Sequence, residues 1–346
     1  MNILYIIFCI VLFGGLNSIF GDTDCKYVIE QEKMDSDIST TSISKFRLVQ
    51  YNMEWLFIDY YKNADCPGNG CSWKNDSDVE IHISHLADVI NALKPDIMNI
   101  CEVEGCDELD TLIGKTDSSY NRYLIEGSDS ATGQNVGMLT KIRPIIDLSR
   151  TDIRYDYPMA NTKCNYDGPA GSSTVSKNYI TQITINDVKI VMIGVHLISM
   201  PTDPERCVKR EAQALVLQSI IKEYVKDDYE VILIGDLNDY DNSILDRNSN
   251  KPTSQVLDIL KGTDIDDYTL YSVAETIPQS ERFTNWWDSQ NNCVNVENDY
   301  AMIDHILVTP YLQKYITNTF IYQGYPEYCG KWDSDHYPLV VDFDFT

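Results

Sequence analysis

The chain has 346 residues, 43% of them hydrophobic, and a formal net charge of −26. This length and apolar content suit one large domain with a substantial core. An acidic excess of that size, with no basic stripe to release counterions, excludes tight sequence-specific nucleic-acid binding while leaving room for weak binding by a turnover enzyme.

The N-terminus opens on a nearly unbroken apolar run from Ile3 to Leu16, followed by Asn17-Ser18-Ile19-Phe20-Gly21. The run is too short to span a bilayer comfortably and lacks flanking Lys or Arg, which predicts a signal peptide over 1–21. The chain is therefore expected to be secreted, or to reside in the lumen of the secretory or lysosomal pathway. Residues 22–44 are polar and read as a loose leader, and 45–346 as a single domain. No later segment is apolar for long enough to predict an integral membrane span.

Ten cysteines fit an oxidising compartment. Cys66 and Cys71 bracket a turn-like loop that can close on itself. Cys164 with Cys207 would tie two loops, and Cys293 and Cys329 precede the last two strands by similar distances. Losing Cys9 with the signal leaves an odd set, so at least one thiol stays free or pairs between chains. Their scattered spacing disfavours a zinc site.

Along the chain, Leu48 to Leu56 is the first strand-like run and carries Asn52. Asn75-Asp76-Ser77 is a glycosylation sequon in an expected surface loop. Val79 to Leu93 has apolar residues at helical spacing and stops before Pro95; His82 and His85 on it read as surface or rim histidines. Ile97 to Val103 is a buried strand carrying Glu102. Asn135–Thr140 and Tyr179–Ile185 alternate like strands, and Val188 to His196 is an apolar run ending on an imidazole. Arg210 to Tyr224 predicts a second helix. Glu230 to Asn238 is a third apolar run, ending in Gly235-Asp236-Leu237-Asn238. The acidic runs at 227–228, 239–246 and 264–267 read as solvated surface, with Asp239 and Asp241 as candidate Ca²⁺ ligands. Ile303 to Val308 is a strand holding Asp304, and Ser334-Asp335-His336-Tyr337-Pro338 precedes the last, from Leu339 to Phe345.

Four apolar runs therefore end on Glu102, His196, Asp236 with Asn238, and Asp335 with His336. A strand buried in a sheet meets solvent only at its ends, so these groups can gather along one edge. Carboxylate and carboxamide oxygens suit a hard cation such as Mg²⁺ or Mn²⁺, and two histidines suit proton transfer and phosphoryl charge.

That set, in that order from about Phe46 to the C-terminus, resembles the endonuclease/exonuclease/phosphatase superfamily, the deoxyribonuclease I-like enzymes. The resemblance implies a four-layer α/β sandwich, two packed mixed β-sheets flanked by helices. It implies that Asn52, Glu102 and Asp335 lie on the metal side. Asp236 would orient the attacking water or bind metal, and Asn238 would donate to a phosphate oxygen. His336 would act as general base or acid, fixed by Asp304, and His196 would protonate the leaving oxygen or stabilise charge. His305 should point to the opposite face of its strand. The family usually has Gln immediately before the glutamate, where this chain has Cys101. The loop Arg282 to Trp287 is similar to a family aromatic loop, so Trp286 either stacks on substrate or packs in the core. Arg210, Arg206, Lys209, Lys141 and Arg143 are candidate phosphate contacts. The implied activity is metal-dependent phosphodiester hydrolysis by a monomer, with nucleic acid as a weakly bound substrate. A sphingomyelinase-like enzyme is the alternative, and a non-catalytic acidic binding protein the weaker one, since every site residue is present. His196 disfavours the apurinic-site repair branch, and Met302-Ile303-Asp304-His305 disfavours the inositol-phosphatase branch.

Overall fold

The structure, a computed structural model, describes residues 43–58, 66–117, 120–288, 296, 299–324 and 334–346. The expected signal peptide, nearly all of the expected leader, and Cys25, Cys293 and Cys329 lie outside them. In chain order the elements are β1 (Lys45–Leu56), α1 (Asp76–Leu93), β2 (Ile97–Val103), α2 (Cys106–Ile113), β3 (Asn121–Leu124), β4 (Asn135–Thr140), β5 (Tyr155–Tyr157), β6 (Gly171–Ser173), β7 (Lys177–Ile185) and β8 (Val188–His196). They continue as α3 (Pro204–Lys226), β9 (Glu230–Asp236), α4 (Val256–Lys261), β10 (Tyr271–Ser272), β11 (Asn285–Trp286), β12 (Tyr300–Ala301), β13 (Asp304–Val308), α5 (Pro310–Gln313), β14 (Ile316–Ile321) and β15 (Leu339–Asp344).

Two mixed sheets form the interior, one ordered β14-β15-β1-β2-β4-β3 and the other β10-β13-β9-β8-β7. Side chains alternate along each strand, so one parity faces the opposite sheet and the other faces helices. Leu48, Ile97, Met138, Ile190, Met192, Ile232, Ile234, Ile306, Val341 and Phe343 meet between the sheets. Val49, Tyr51, Met98 and Ile100 instead pack under α1 and α2. Val191, Ile193, Val231 and Leu233 pack under α3 and α4. Three apolar layers between helix, sheet, sheet and helix make the four-layer sandwich expected from the sequence.

Helix ends follow local chemistry. The carbonyl oxygen of the Asn75 side chain accepts the Asp78 N–H at 3.1 Å, which starts α1 three residues before its apolar periodicity begins. The sequon asparagine is thus an exposed N-cap. Asp203 caps α3 with Pro204 in its first turn, so that helix begins six residues before Arg210. His82 is not at a rim: it is buried, its Nε2 lies 2.8 Å from the Met53 carbonyl, and its ring stacks on Trp73.

Cys66–Cys71 and Cys164–Cys207 are disulfides, and Cys106 is also disulfide-bonded. Cys101 is free and fully buried between the sheets. Burial pushes its thiol well above the ordinary range. Cys101 is therefore expected to resist alkylation in the native protein and to react only after denaturation, as peptide mapping after maleimide treatment would read; ready modification of the folded chain would contradict this packing.

Candidate active site

The interior parity that is apolar at depth turns polar at one end of the sandwich. On β1 it runs Leu48, Gln50, Asn52; on β8, Ile190, Met192, Gly194, His196; on β9, Ile232, Ile234, Asp236; on β13, it starts at Asp304 and continues through Ile306 and Val308. Parallel pairing sets His196 opposite Asp236, and antiparallel pairing sets Asp236 opposite Asp304. Glycine is needed where the layers come closest. A Cβ on Gly194 would lie 2.2 Å from the Tyr179 ring and 2.4 Å from Asn99 Oδ1. One on Gly235 would lie 1.9 Å from the Val195 carbonyl, which explains the glycine of the Gly-Asp-Leu-Asn run.

Strict alternation would send Glu102 towards the helices, because Cys101 faces inward. Instead the β1–β2 and β2–β4 registers both slip here, and Glu102 adopts φ of +65°. The facing segment of β1 also turns, with φ of +42° at Glu54 and +52° at Trp55. Such backbone costs roughly 1–3 kcal/mol per residue and is held by its surroundings. Its result is that Glu102 Oε1 receives Asn52 Nδ2 at 3.2 Å and Glu102 Oε2 receives the Trp55 N–H at 3.1 Å.

Asn52 donates to Asp236 Oδ2 as well, at 3.0 Å, while its own Oδ1 accepts the Glu54 N–H at 3.0 Å. Its nitrogen thus orients two carboxylates, while its oxygen accepts one backbone N–H and keeps a second lone pair. Asp236 Oδ1 accepts the Asn238 N–H at 2.9 Å, and Asn238 Nδ2 donates to the Leu197 carbonyl at 3.2 Å. Both histidines face the same oxygen: His196 Nε2 is 3.6 Å from Asp236 Oδ2 and His336 Nε2 is 3.9 Å from it. His336 Nδ1 sits 2.6 Å from Asp304 Oδ2, which fixes the ring. His196 Nδ1 has no partner among the described residues.

These contacts separate the two imidazoles. Burial, reinforced by Lys177, drives His196 well below its ordinary value, so it is neutral. Burial also opposes charge on His336, but Asp304 and Asp335 outweigh it and hold that ring protonated. The acids crowd. Burial and then Asp335 lift Glu54 to about 8, burial and then Asp304 lift Asp236 to about 7, and burial lifts Asp335 to about 6 with Glu102 and Asp304 adding to it. Repelling carboxylates gathered from different segments are the donor set a hard divalent cation relieves. Glu102, Asp335 and Glu54 can supply it. Asp236, Asp304 and His336 also bring one ligand atom each within 4.8 Å of one another, while Asp304 Oδ2 and His336 Nδ1 are bonded to each other.

Two residues were not singled out from the sequence. Glu54 receives the Asp335 N–H at 2.9 Å; its spacing of two from Asn52 on one strand was the available signal. Lys177 lies directly across β7–β8 from His196, its Nζ 3.3 Å from Gln134 Oε1 and 3.6 Å from Asp129 Oδ2. Nothing in its local sequence marks it.

Several expectations need correction. Arg210 is fully buried and cannot contact substrate. Its Nε donates to Asp239 Oδ2 at 2.9 Å, and its other nitrogens bond the carbonyls of Ile198, Ser199, Met200 and Pro201. It thereby ties the loop after His196 to the loop after Asn238. Trp286 packs in the inter-sheet core, and its neighbour Trp287 is the exposed ring, at 66%. Asp239 and Asp241 are neither solvated nor free for Ca²⁺: both are buried, one paired with Arg210 and the other with Lys261. His305 does face the other side, its Nε2 2.9 Å from the Asp239 carbonyl. Of the remaining cations, Lys209 pairs with Glu205, Arg206 bonds Ser199, and Lys141 covers the Tyr120 ring.

Residues 49–336 match the profile of the Endonuclease/Exonuclease/phosphatase family. Among solved structures, the fold is similar to an endonuclease/exonuclease/phosphatase from Bacteroides vulgatus (TM-score 0.55, 15% identity, 87% of this chain and 99% of that one). It is similar to D. rerio TDP2 complexed with single strand DNA product (TM-score 0.54, 18% identity, 87% and 99%). Truncated Caenorhabditis elegans TDP2 is comparable (TM-score 0.52, 16% identity, 87% and 98%). No curated protein sequence matches the chain.

Arg210→Met leaves the buried Asp239 carboxylate without its partner and frees four carbonyls. It is expected to cost about 3 kcal/mol of folding stability in urea unfolding; a loss below about 1 kcal/mol would contradict the bracing role.

Proposed function

The chain belongs to the endonuclease/exonuclease/phosphatase family, and from that premise we propose that it is a metal-dependent phosphodiesterase that hydrolyses nucleic acid, most directly DNA. The observation that carries the reading is the convergence of Glu102, His196, Asp236, Asn238, Asp335 and the Asp304-fixed His336 at one end of the interior layer. The DNA product named for the D. rerio relative supports the substrate class. The net charge of −26 supports weak, sequence-independent engagement confined to the cleft. We also propose that the chain acts as a monomer outside the cytosol, which the disulfides Cys66–Cys71 and Cys164–Cys207 support.

Glu102 and Asp335, with Glu54 beside them, would hold Mg²⁺ or Mn²⁺. The ion would neutralise non-bridging phosphate oxygens and favour a nucleophilic water. The protein's own groups do the rest. His336 carries its proton on Nε2, aimed towards Asp236, and donates it to the phosphoryl group or the leaving oxygen. Asp236 Oδ2, between the two imidazoles, aligns the water and accepts its proton; a value of about 7 suits that exchange near neutrality. Neutral His196 contributes a hydrogen bond without adding charge. Asn238 steadies Asp236, and the Lys177 ammonium, across from His196, offers a local cation to the phosphate.

The mature chain is expected to nick plasmid DNA with Mg²⁺ or Mn²⁺ and to lose that activity in EDTA. Intact DNA alongside cleaved sphingomyelin would overturn the nucleic-acid reading. His336→Ala is expected to lower kcat by about 100-fold or more with an unchanged circular-dichroism spectrum. Near wild-type turnover in that variant would remove His336 from the mechanism.

A further inference from the structure

The polar site has a second tier below it, closer to the apolar core. Gln50 lies two residues before Asn52 on the same face of β1, and it is fully buried. Its Nε2 donates to Asp304 Oδ1 at 2.9 Å, across the gap between the two sheets. Asp304 thus has one oxygen on Gln50 and the other on His336 Nδ1. Gln50 Oε1 accepts from Asn99 Nδ2 at 2.5 Å, and Asn99 is its register partner on β2, also fully buried. Because Asp304 offers only acceptors, the Gln50 amide must present nitrogen to it and oxygen to Asn99. The order Asn99, Gln50, Asp304, His336 is therefore fixed in direction.

Cys101 bears on why the amide comes from this strand. It occupies the place before the glutamate where a glutamine was expected, and its Sγ lies 3.5 Å from Gln50 Nε2. A thiol is a weak hydrogen-bonding group, so the strong donor at this depth is supplied by β1 instead. An unbonded Asp304 oxygen would be a buried, unsatisfied acceptor and would let the carboxylate rotate. Thr284 Oγ1 accepts the Asp304 N–H at 3.0 Å and so holds the backbone, which leaves carboxylate rotation to Gln50.

We propose that Gln50, backed by Asn99, is a positioning residue for the reaction: it spans the sandwich to hold the Asp304 carboxylate at the angle that orients His336. The proposal deepens the phosphodiesterase reading and rests on it for its kinetic part. Gln50 touches no reacting group, so it affects turnover rather than substrate affinity.

The test uses Gln50→Met, which keeps length and burial but removes the donor. Its kcat on DNA is expected to fall about tenfold with KM changed less than about twofold. In an Asp304→Asn background the same substitution should lower kcat by less than about twofold more, since its route to His336 is already broken. A second readout is independent of activity. The Nδ1 proton of His336, in a short bond to Asp304, should give a far-downfield proton resonance that moves or broadens in Gln50→Met. If Gln50→Met does not fold, Gln50→Glu keeps the shape while facing an oxygen to Asp304, and the same shifts are expected from it. Wild-type kcat with an unmoved resonance would overturn the proposal, as would an equal loss in both backgrounds. Were the wild-type chain inactive on every phosphodiester, the functional reading would fail while the resonance still decided the role of Gln50.

Discussion

The two-residue alternation of strands inside a two-sheet sandwich is the constraint on which everything else rests. Once Leu48, Ile190, Ile232 and Ile306 face inward to make the core, the parity of every later residue on those strands is decided. Asn52, His196, Asp236 and Asp304 are interior residues that have run out of apolar depth. The site is the polar end of the core, built from both sheets at once. A one-residue slip in any of these strands would move its apolar set and its functional group to the helix side together. Glu102 is the exception that shows the rule: its parity is wrong, and a bulge with a left-handed backbone turns it inward.

Electrostatics then sort the gathered groups. Placing Glu54, Glu102, Asp236, Asp304 and Asp335 at one end is unfavourable without a compensating cation, and burial makes each charge more costly. Two compensations are visible. Asp304 is satisfied within the protein by Gln50 and His336, which commits it to holding an imidazolium. Glu102 and Asp335 keep partial exposure, 16% and 26% at the side chain, and face the opening. In the proposed reaction the interior acid would serve proton placement, and the rim acids suit a metal. The same logic separates His196 from His336: burial opposes charge on both rings, and only His336 is hydrogen-bonded to a carboxylate that outweighs it.

Much of this was legible in the sequence because strand-end polar groups interrupt otherwise apolar runs. Val188 to His196 and Glu230 to Asn238 gave both the strand and the polar group at its end, and the order of the runs implied the fold. What was not legible follows from chemistry that spacing cannot report. Arg210 carries the same charge whether it contacts solvent or is sealed against Asp239. The acidic run from Asp239 to Asp246 looked solvated because its cations, Arg210 and Lys261, come from elsewhere in the chain. Trp286 and Trp287 are adjacent and identical, and only packing decides which is buried. Gln50 was hidden for the opposite reason: an amide within a strand reads as neutral filler until its partner on the other sheet is known.

The central claim is that the rim carboxylates take the metal while the Asp304–His336 pair stays intact. Anomalous scattering from crystals soaked in Mn²⁺ tests this most directly. The account predicts one ion bound by Glu102 and Asp335, with His336 still bonded to Asp304 through Nδ1. An ion seated among Asp236, Asp304 and His336, with that hydrogen bond broken, would contradict it.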